Sequence, residues 1–433
     1  MQNNPIHHDM SVPSFQFLHA ADLHLDSPLR GLARRGELAG AFIEASRQAL
    51  DNLVTTAISE RVAFLIIAGD IYDGDWRDYA TGQFFVRQMG RLAQADIPVF
   101  LIRGNHDADS VITRNLPLPT NVYSFSVRSV ATTTIEPLRV ALHGRGFANR
   151  HVPDNVALSY PPAQPGYFNI GVLHTSLTGR DGHDVYAPCS IEDLQRAGYD
   201  YWALGHVHKR EIVSEHPFVV FPGNLQGRHA REIGEKGATL VTVTEGRVTA
   251  VEALTLDAAR FDHARIDLGG LAEKAALMAT AREAIGQAHH RAGGRPLALR
   301  LSLSGATLLH AELCAQADQV NEDMQALAWE VGPDILIEKV RLETSRPEGP
   351  PADHAALGDF AAVLAAAAAD PAFRAEIAKT LGDLRMKAPA DAAALVGWTE
   401  ADVDAIAASA IAAAEEVILA RLADASLVGG ERS

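Results

Sequence analysis

Between Phe15 and about Leu256 the chain repeats one pattern: a short apolar run rich in β-branched residues, a polar loop, and often an amphipathic stretch. The apolar runs at 15–20, 62–68, 97–102, 139–143, 168–173, 201–204, 219–221 and 239–243 read as strands, because runs of this length and branching fit a buried pleated surface. Segments 41–59 and 79–95, between the first three runs, read as helices. Strand, helix, strand order forces helices onto sheet faces, which predicts an α/β (α+β layered) architecture with largely buried sheets. Later strands lie closer together with turns between them, so a second, mixed or antiparallel sheet packed on the first is expected.

A smaller unit follows, reading as strand (264–268), helix (271–291), strand (297–303), helix (308–327) and strand (335–342), a small α/β domain. The stretch SRPEGPPA at 345–352 concentrates Pro and Gly and reads as a linker. Beyond it the Ala-rich sequence with acidic spots predicts helices, one of them over 400–423. The expected organisation is a disordered tail at 1–14, a main domain at 15–256, a small α/β domain at 260–345 and a helical tail at 346–433.

A chain of 433 residues with 47% hydrophobic content has material for two or three domains and a sizeable core. The start MQNNPIHHDMSVPSFQF, with its tandem His7 and His8, lacks a basic segment followed by an apolar run. No apolar stretch reaches the roughly 18 residues of a membrane span. A cytoplasmic protein without a membrane role is therefore expected. Cys189 and Cys314 stand far apart, without the paired spacing of a zinc site or a disulfide framework, and read as ordinary buried thiols. The formal net charge of −16 speaks against a nucleic-acid enzyme, since phosphate contacts are normally made by Lys and Arg. Much of that acid lies beyond residue 346, however, and bound cations would add positive charge where a phosphate must sit.

The His, Asp and Asn residues fall where chemistry collects. Asp22 and His24 follow the first strand in HAADLHLD, Asp70 and Asp73 the second in AGDIYDGD, and Asn105, His106 and Asp107 the third in RGNHD. His174 ends a strand in GVLHT, and His206 and His208 follow another in LGHVHKR. Each cluster lies just past the C-terminal end of a strand, the edge at which ligands gather in open α/β sheets. Carboxylate, amide oxygen and imidazole together suit Mn²⁺, Fe²⁺ or Zn²⁺. In an extended backbone, D-x-H and H-x-H would project both side chains the same way. A carboxylate such as Asp70 can bridge two ions that together present a hydroxide to phosphorus.

In this order, D-x-H, GDxxD, GNHD, a strand-terminal His and GHxH resemble the calcineurin-like metallophosphoesterases. The flanking words HAADLHLDSPLRGL, FPGNLQGRHARE and GEKGATLVTV resemble more narrowly the SbcD/YhaO-type DNA repair exonucleases, nuclease subunits that work with an SMC-like ATPase in double-strand-break repair. The resemblance is good over 15–256, moderate over the small α/β unit and poor over the tail. It implies a β-sandwich flanked by helices, with the small unit capping the nuclease face. It implies two divalent cations, Mn²⁺ first: Asp22, His24 and His208 hold one, Asn105, His174 and His206 the other, and Asp70 bridges them. A hydroxide shared by the cations would attack phosphorus while His106 assists the leaving group. Asp73 would orient His106; phosphatases of the superfamily also carry Asp at this position, where some nucleases carry His, which leaves the tuning of the pair open. Implied partners are DNA ends, an SMC-like ATPase docked through C-terminal helices, and a second copy in a homodimer.

Other residues have two readings. Arg228, His229 and Arg231 contact substrate phosphate or occupy a surface turn; His19 and His143 belong to the core or brace the ligands; Asp107 accepts backbone hydrogen bonds in the GNHD turn; Asp26 supports the site or faces solvent. Gly69, Gly104 and Gly205 allow tight turns beside the cations. The expected activity is a metal-dependent DNA exonuclease, 3′→5′ on duplex ends. The alternatives are a small-molecule phosphodiesterase or phosphatase on the same centre, or an adaptor for an ATPase with weak nuclease activity.

Overall fold

The structure, a computed structural model, describes residues 12–27, 38–73, 79–108, 117–178, 186–347 and 355–387, with a few positions between 406 and 418. The expectations for 1–11, including His7 and His8, for the Pro-rich stretch at 348–352 and for most of the helix at 400–423 lie outside the described residues.

The described residues form two compact units. One runs to Asp262 and takes in His289–Leu299 and Asp334–Glu338; the other comprises His263–Ala288, Arg300–Pro333 and the chain from Lys339 onward. The first unit contains two six-stranded sheets. Strands β1 (Phe15–Ala20), β2 (Phe64–Ala68), β3 (Val99–Ile102) and β4 (Val122–Ser124) run parallel, and β11 (Gly237–Thr244) and β12 (Arg247–Thr255) extend the sheet antiparallel beyond β1. The second sheet orders β5 (Ala131–Ile135), β6 (Val140–Gly144), β7 (Phe168–His174), β8 (Tyr201–Gly205), β10 (Phe218–Phe221) and β9 (Glu211–Glu215), with β6, β7, β8 and β10 parallel.

Period-two alternation explains how the layers hold together. Leu18, Leu65 and Ile67 point from the first sheet to helices α1 (Leu38–Ser59) and α2 (Tyr79–Gln94), where Leu50, Leu53, Phe85, Met89 and Leu92 complete one core. Their neighbours Phe17, Phe64 and Ile66 face the second sheet and pack on Phe168, Ile170 and Tyr201. Phe17 stacks on Phe64 at 4.9 Å and meets Tyr201 edge-on at 5.3 Å. The second sheet's far side, with Trp202, Leu204 and Leu173, is covered by loop residues and a short helix, Ile191–Gln195. The protein is thus an α/β fold in which two sheets sandwich a core and helices flank them.

The continuous apolar runs match the sequence expectation to within a residue or two. The strands β4, β5, β9 and β12 escaped it. Each includes exposed or half-buried positions at a sheet edge, as β12 does with RVTAVEALT, so no apolar run announces it.

The remaining strands, β13 (Arg260–Asp267), β14 (Leu297–Ala306) and β15 (Ile335–Ser345), form a three-stranded sheet. Helix Lys274–Ala292 buries Leu277, Ala281, Ile285 and Ala288, a stripe at helical spacing. The single helix expected over 308–327 is two, His310–Ala315 and Ala317–Val331, broken at Gln316, whose ψ of 33° leaves the helical region. Helices Ala355–Ala369 and Pro371–Lys387 follow in the tail. No helix among the described residues is long and apolar enough to cross a membrane.

Candidate metal centre

Strands β1, β2 and β3 of one sheet and β7 and β8 of the other deliver their C-terminal ends to one place. Just past β1, Asp22 and His24 stand in left-handed backbone, φ 52° and 41°, and Asp70 past β2 does likewise at 53°. Such conformations cost an L-residue about 1–2 kcal/mol each and persist where the surroundings enforce them. Here the Asp22 N–H donates to Gly69 O and the His24 N–H to Asp70 O, each at 3.0 Å, lacing the two loops together. The D-x-H pair therefore converges through two left-handed turns and not through the extended backbone expected from its spacing. The H-x-H pair also departs from extension, with His206 at φ 99°.

The side chains then meet lone pair to lone pair. His174 donates from Nδ1 to Ala68 O at 2.9 Å, which leaves Nε2 to hold a proton or a cation, and that atom faces Asn105 Oδ1 at 2.9 Å and Asp70 Oδ2 at 3.3 Å. His208 Nδ1 lies 2.7 Å from Glu232 Oε1, and its Nε2 faces His24 Nε2 at 3.2 Å and Asp22 Oδ1 at 3.9 Å. Asp70 Oδ2 also lies 3.8 Å from His24 Nε2, between the two groups. Asp22, His24, Asp70 and His174 are all buried. Acceptors buried face to face need an electropositive centre between them, and nitrogen with oxygen donors suits a divalent cation. Among the described residues, Asp22 with His24 and His208, and Asp22 with Asp70 and His174, have atoms close enough to share one ion.

Electrostatics agree. Burial pushes the Asp22 carboxyl up and drives His24 down to about 3, so His24 is a neutral imidazole with a free lone pair. Burial would raise Asp70, but His174 and His24 outweigh it and hold the carboxyl well below the usual range. His174 shows the converse: burial lowers it, yet Asp70 lifts it to about 9. The pocket demands positive charge at His174 Nε2, and a cation competes with a proton for that lone pair.

His206 lies beside this cluster, with its ring stacked on Tyr186 at 5.5 Å and edge-on to His174 at 5.2 Å. Its N–H donates to Asp22 Oδ2 at 3.0 Å. His106 is carried by the single turn Asn105–Ala108, which its own N–H ties to Asp70 Oδ1 at 2.9 Å. Its Nδ1 is 3.0 Å from Asp73 Oδ1, and its ring packs against His24 at 4.9 Å. Burial works against a charged His106, but Asp73 and Asp70 prevail and raise it above its ordinary value. Asp73 also accepts from Ser27 Oγ at 2.6 Å.

Arg228 reaches inward, 3.4 Å from Glu232 and 3.7 Å from Asp73. His229 is half exposed, 3.5 Å from Glu232, and accepts the Arg231 N–H at its Nδ1. Glu232, Asn224, Tyr186 and the Ala68 carbonyl were not singled out from sequence, although Glu232 and Asn224 fall within the flanking word FPGNLQGRHARE. Gly104 and Gly205 serve by lacking a side chain: a Cβ on Gly205 would fall on Ala68 O and lie 2.8 Å from His174 Nδ1.

The residues with two readings resolve as follows. Asp107 accepts N–H bonds from Ile71, Tyr72 and Gly104 and fixes the GNHD turn, as expected. Asp26 neither supports the cluster nor faces solvent freely; Arg47 grips it with two nitrogens and Thr81 donates to it. His19 is a core residue bonded to Tyr201 Oη and Leu204 O. His143 bonds Thr132 and Asn169 and stacks on Tyr199 at 4.4 Å. Cys189 is buried, while Cys314 is half-buried, at the surface of the small unit.

A model of the calcineurin-like phosphoesterases matches residues 15–210, and a model of the middle domain of metallophosphoesterase YhaO matches 261–345. A Bacillus subtilis (strain 168) protein named uncharacterized metallophosphoesterase YhaO is 37% identical over 294 residues, 67% of this chain and 71% of that protein. The DNA double-strand break repair protein Mre11 of Methanopyrus kandleri is 24% identical over 246 residues, 51% of each chain. Its Aeropyrum pernix namesake is 25% identical over 274 residues, 58% of this chain and 63% of that one. A solved dimetal phosphatase of Danio rerio is 13% identical with a TM-score of 0.33, covering 54% of this chain and 94% of the other. By its likeness to YhaO the chain belongs to the calcineurin-like metallophosphoesterases, hydrolases of phosphoester bonds built on a dinuclear divalent metal centre.

Proposed function

We propose that this protein is a DNA exonuclease of double-strand-break repair that uses two divalent cations, Mn²⁺ foremost, and acts on duplex ends in the cytoplasm. Asp22, His24 and His208 would hold one ion, Asn105, His174 and His206 the other, and Asp70 both. When bound, the pair supplies Lewis-acid charge for a phosphoryl oxygen and lowers the pKa of a water beside it. The chain's own residues do the rest. His106 keeps a proton at the mouth of the cluster and delivers it to the departing oxygen, while Asp73 aims the ring and favours its charged form. His229, half exposed in its turn, is open to a substrate phosphate.

One observation carries the reading: buried lone pairs meet around Asp70 in two groups, and a braced, charge-bearing histidine stands beside them. Similarity to DNA double-strand break repair proteins supports DNA as the substrate; an SMC-like ATPase docked on the helical tail and a homodimer are what the resemblance of the flanking sequence words implies. The test is release of nucleotides from end-labelled linear duplex with Mn²⁺, expected for the parent and absent in Asp70→Ala and His106→Ala. Activity retained in both variants overturns the assignment.

The net charge of −16 favours a second reading, a small phosphodiester as substrate of the same residues. Turnover of a small aryl phosphodiester far above that of linear duplex would select it.

A further inference from the structure

His208 meets the cluster through Nε2, and its other nitrogen decides whether Nε2 can bind a cation at all. An imidazole that donates from Nδ1 carries its lone pair on Nε2; one that accepts at Nδ1 carries its proton on Nε2, which is then no ligand. Nδ1 of His208 lies 2.7 Å from Glu232 Oε1. Glu232 is 7% exposed and held from behind: its Oε2 accepts the Arg228 N–H at 2.7 Å and Asn224 Nδ2 at 2.9 Å. Arg228 Nη2 lies 3.4 Å from Oε1 and 3.3 Å from His208 Nδ1 itself; the Glu232 carboxylate, at 2.7 Å, is the nearer partner of that nitrogen. Arg228 Nη1 lies 3.7 Å from Asp73 Oδ1, the oxygen that His106 Nδ1 approaches at 3.0 Å. One polar chain thus runs from His208 through Glu232, Arg228 and Asp73 to His106.

Resting on the two-cation reading above, the geometry points to Glu232 as the positioning residue that sets the His208 tautomer, and to Arg228 as the brace that holds Glu232 and Asp73 in register. Arg228 then has an inward role in place of the phosphate contact expected from sequence.

Glu232→Gln shows why the carboxylate is required. The site of Oε2 receives two N–H donors, so the Gln oxygen must sit there, and its NH₂ then faces His208 Nδ1. His208 becomes an acceptor at Nδ1 and carries its proton on Nε2, pointed at His24 Nε2. The cation that Asp22, His24 and His208 would share should then be held more weakly, while the donors beside His174 are unchanged.

Calorimetric titration of the full chain with Mn²⁺ alone reads this directly, with circular dichroism as the folding control. The parent should bind two ions; Glu232→Gln should weaken one by roughly 10–100-fold and leave the other unchanged. Arg228→Met should lower kcat on a small aryl phosphodiester by roughly tenfold or more at unchanged KM, because the loss is one of aim. Two ions bound by Glu232→Gln with parental affinity, or a raised KM at parental kcat in Arg228→Met, overturns the inference. Should Glu232→Gln fail to fold, ¹⁵N-histidine spectra of the parent decide: His208 must appear as the Nδ1–H tautomer, and the Nε2–H form overturns it. A parent that binds no Mn²⁺ and hydrolyses nothing sinks the two-cation reading itself. A parent that does both, with unaltered variants, sinks this inference alone.

Discussion

Replacing Asp70 with Asn removes one negative charge and keeps the side chain's shape, and the surroundings dictate how the amide sits. Oδ1 of Asp70 accepts the His106 N–H at 2.9 Å, so the Asn oxygen takes that place. Its NH₂ then falls where Oδ2 now faces His174 Nε2 at 3.3 Å and His24 Nε2 at 3.8 Å. From there it donates to His174 Nε2 and competes with a cation for that lone pair, while the charge that lets the parent's Nε2 hold a proton is gone. The variant loses the charge that lifts His174 to about 9, so without metal it should be less stable than the parent, and it should gain nothing from metal.

The size of that lost gain follows from mass action. Where only the folded state binds, metal at a hundredfold excess over its Kd adds about 2.7 kcal/mol per site. At about 2–4 °C per kcal/mol for a domain of some two hundred residues, one site raises Tm by about 5–11 °C. The assay is thermal unfolding in EDTA and in Mn²⁺ at that excess, followed by circular dichroism. With two sites the parent should rise by about 11–22 °C, and Asp70→Asn should stay flat. A parent that ignores Mn²⁺, or an Asp70→Asn variant that rises as far as the parent, refutes the argument that Asp70 anchors the ions.

Three further outcomes are expected. Arg260 grips the buried Asp257 through two bonds of 2.9 Å, so Arg260→Met should cost about 3 kcal/mol, at the lower end for a broken buried pair because Arg295 Nε stays 3.2 Å away. A fallen urea midpoint, largely restored in Asp257→Leu with Arg260→Met, checks it; no recovery means that charge burial is not the cause. A Cβ on Gly104 would fall on Asp70 Oδ1 and lie 2.7 Å from Asp70 N. Gly104→Ala should displace the carboxylate and weaken Mn²⁺ binding roughly tenfold or more, as titration would show. Burial lowers His19 from 6.5 to about 3, so the unfolded chain binds a proton there that the folded chain refuses. Stability should fall as pH drops from about 6.5 towards 3, by about 1.4 kcal/mol per pH unit from this residue, and denaturant midpoints for His19→Gln should fall less steeply.

The sandwich was legible because its central strands are buried on both faces. FLIIA at 64–68 has no solvent side, so its composition alone marks it as a buried strand. Edge strands carry no such mark. ATTTI at 131–135 and EIVSE at 211–215 satisfy a sheet's hydrogen bonds with side chains that are half-buried or exposed, none fully buried, so no continuous apolar run marks them. The break at Gln316 was equally silent, since helical periodicity continues in LHAELCAQADQVNEDMQAL across it.

The site divides along a different line. Its inner residues were legible because each rides the end of a strand, where a polar cluster after an apolar run stands out. The spacing argument for Asp22 and His24 reached the right juxtaposition through the wrong backbone: two residues apart, they converge because both are left-handed and each N–H is pinned to the loop after β2. Long-range hydrogen bonds set that geometry, and spacing cannot encode them. The residues behind the inner layer left no local trace. Glu232 and Glu235 share one acidic stretch, and only folding separates them: the first has a side chain 7% exposed and orients His208, 24 positions away, while the second is 69% exposed. What makes Glu232 a part of the centre is its desolvation beside His208, Arg228, His229 and Asn224. That property belongs to the folded arrangement of the loops after β8 and β10, and it is why the tautomer of a single imidazole can hinge on a glutamate that looks like surface charge in the sequence.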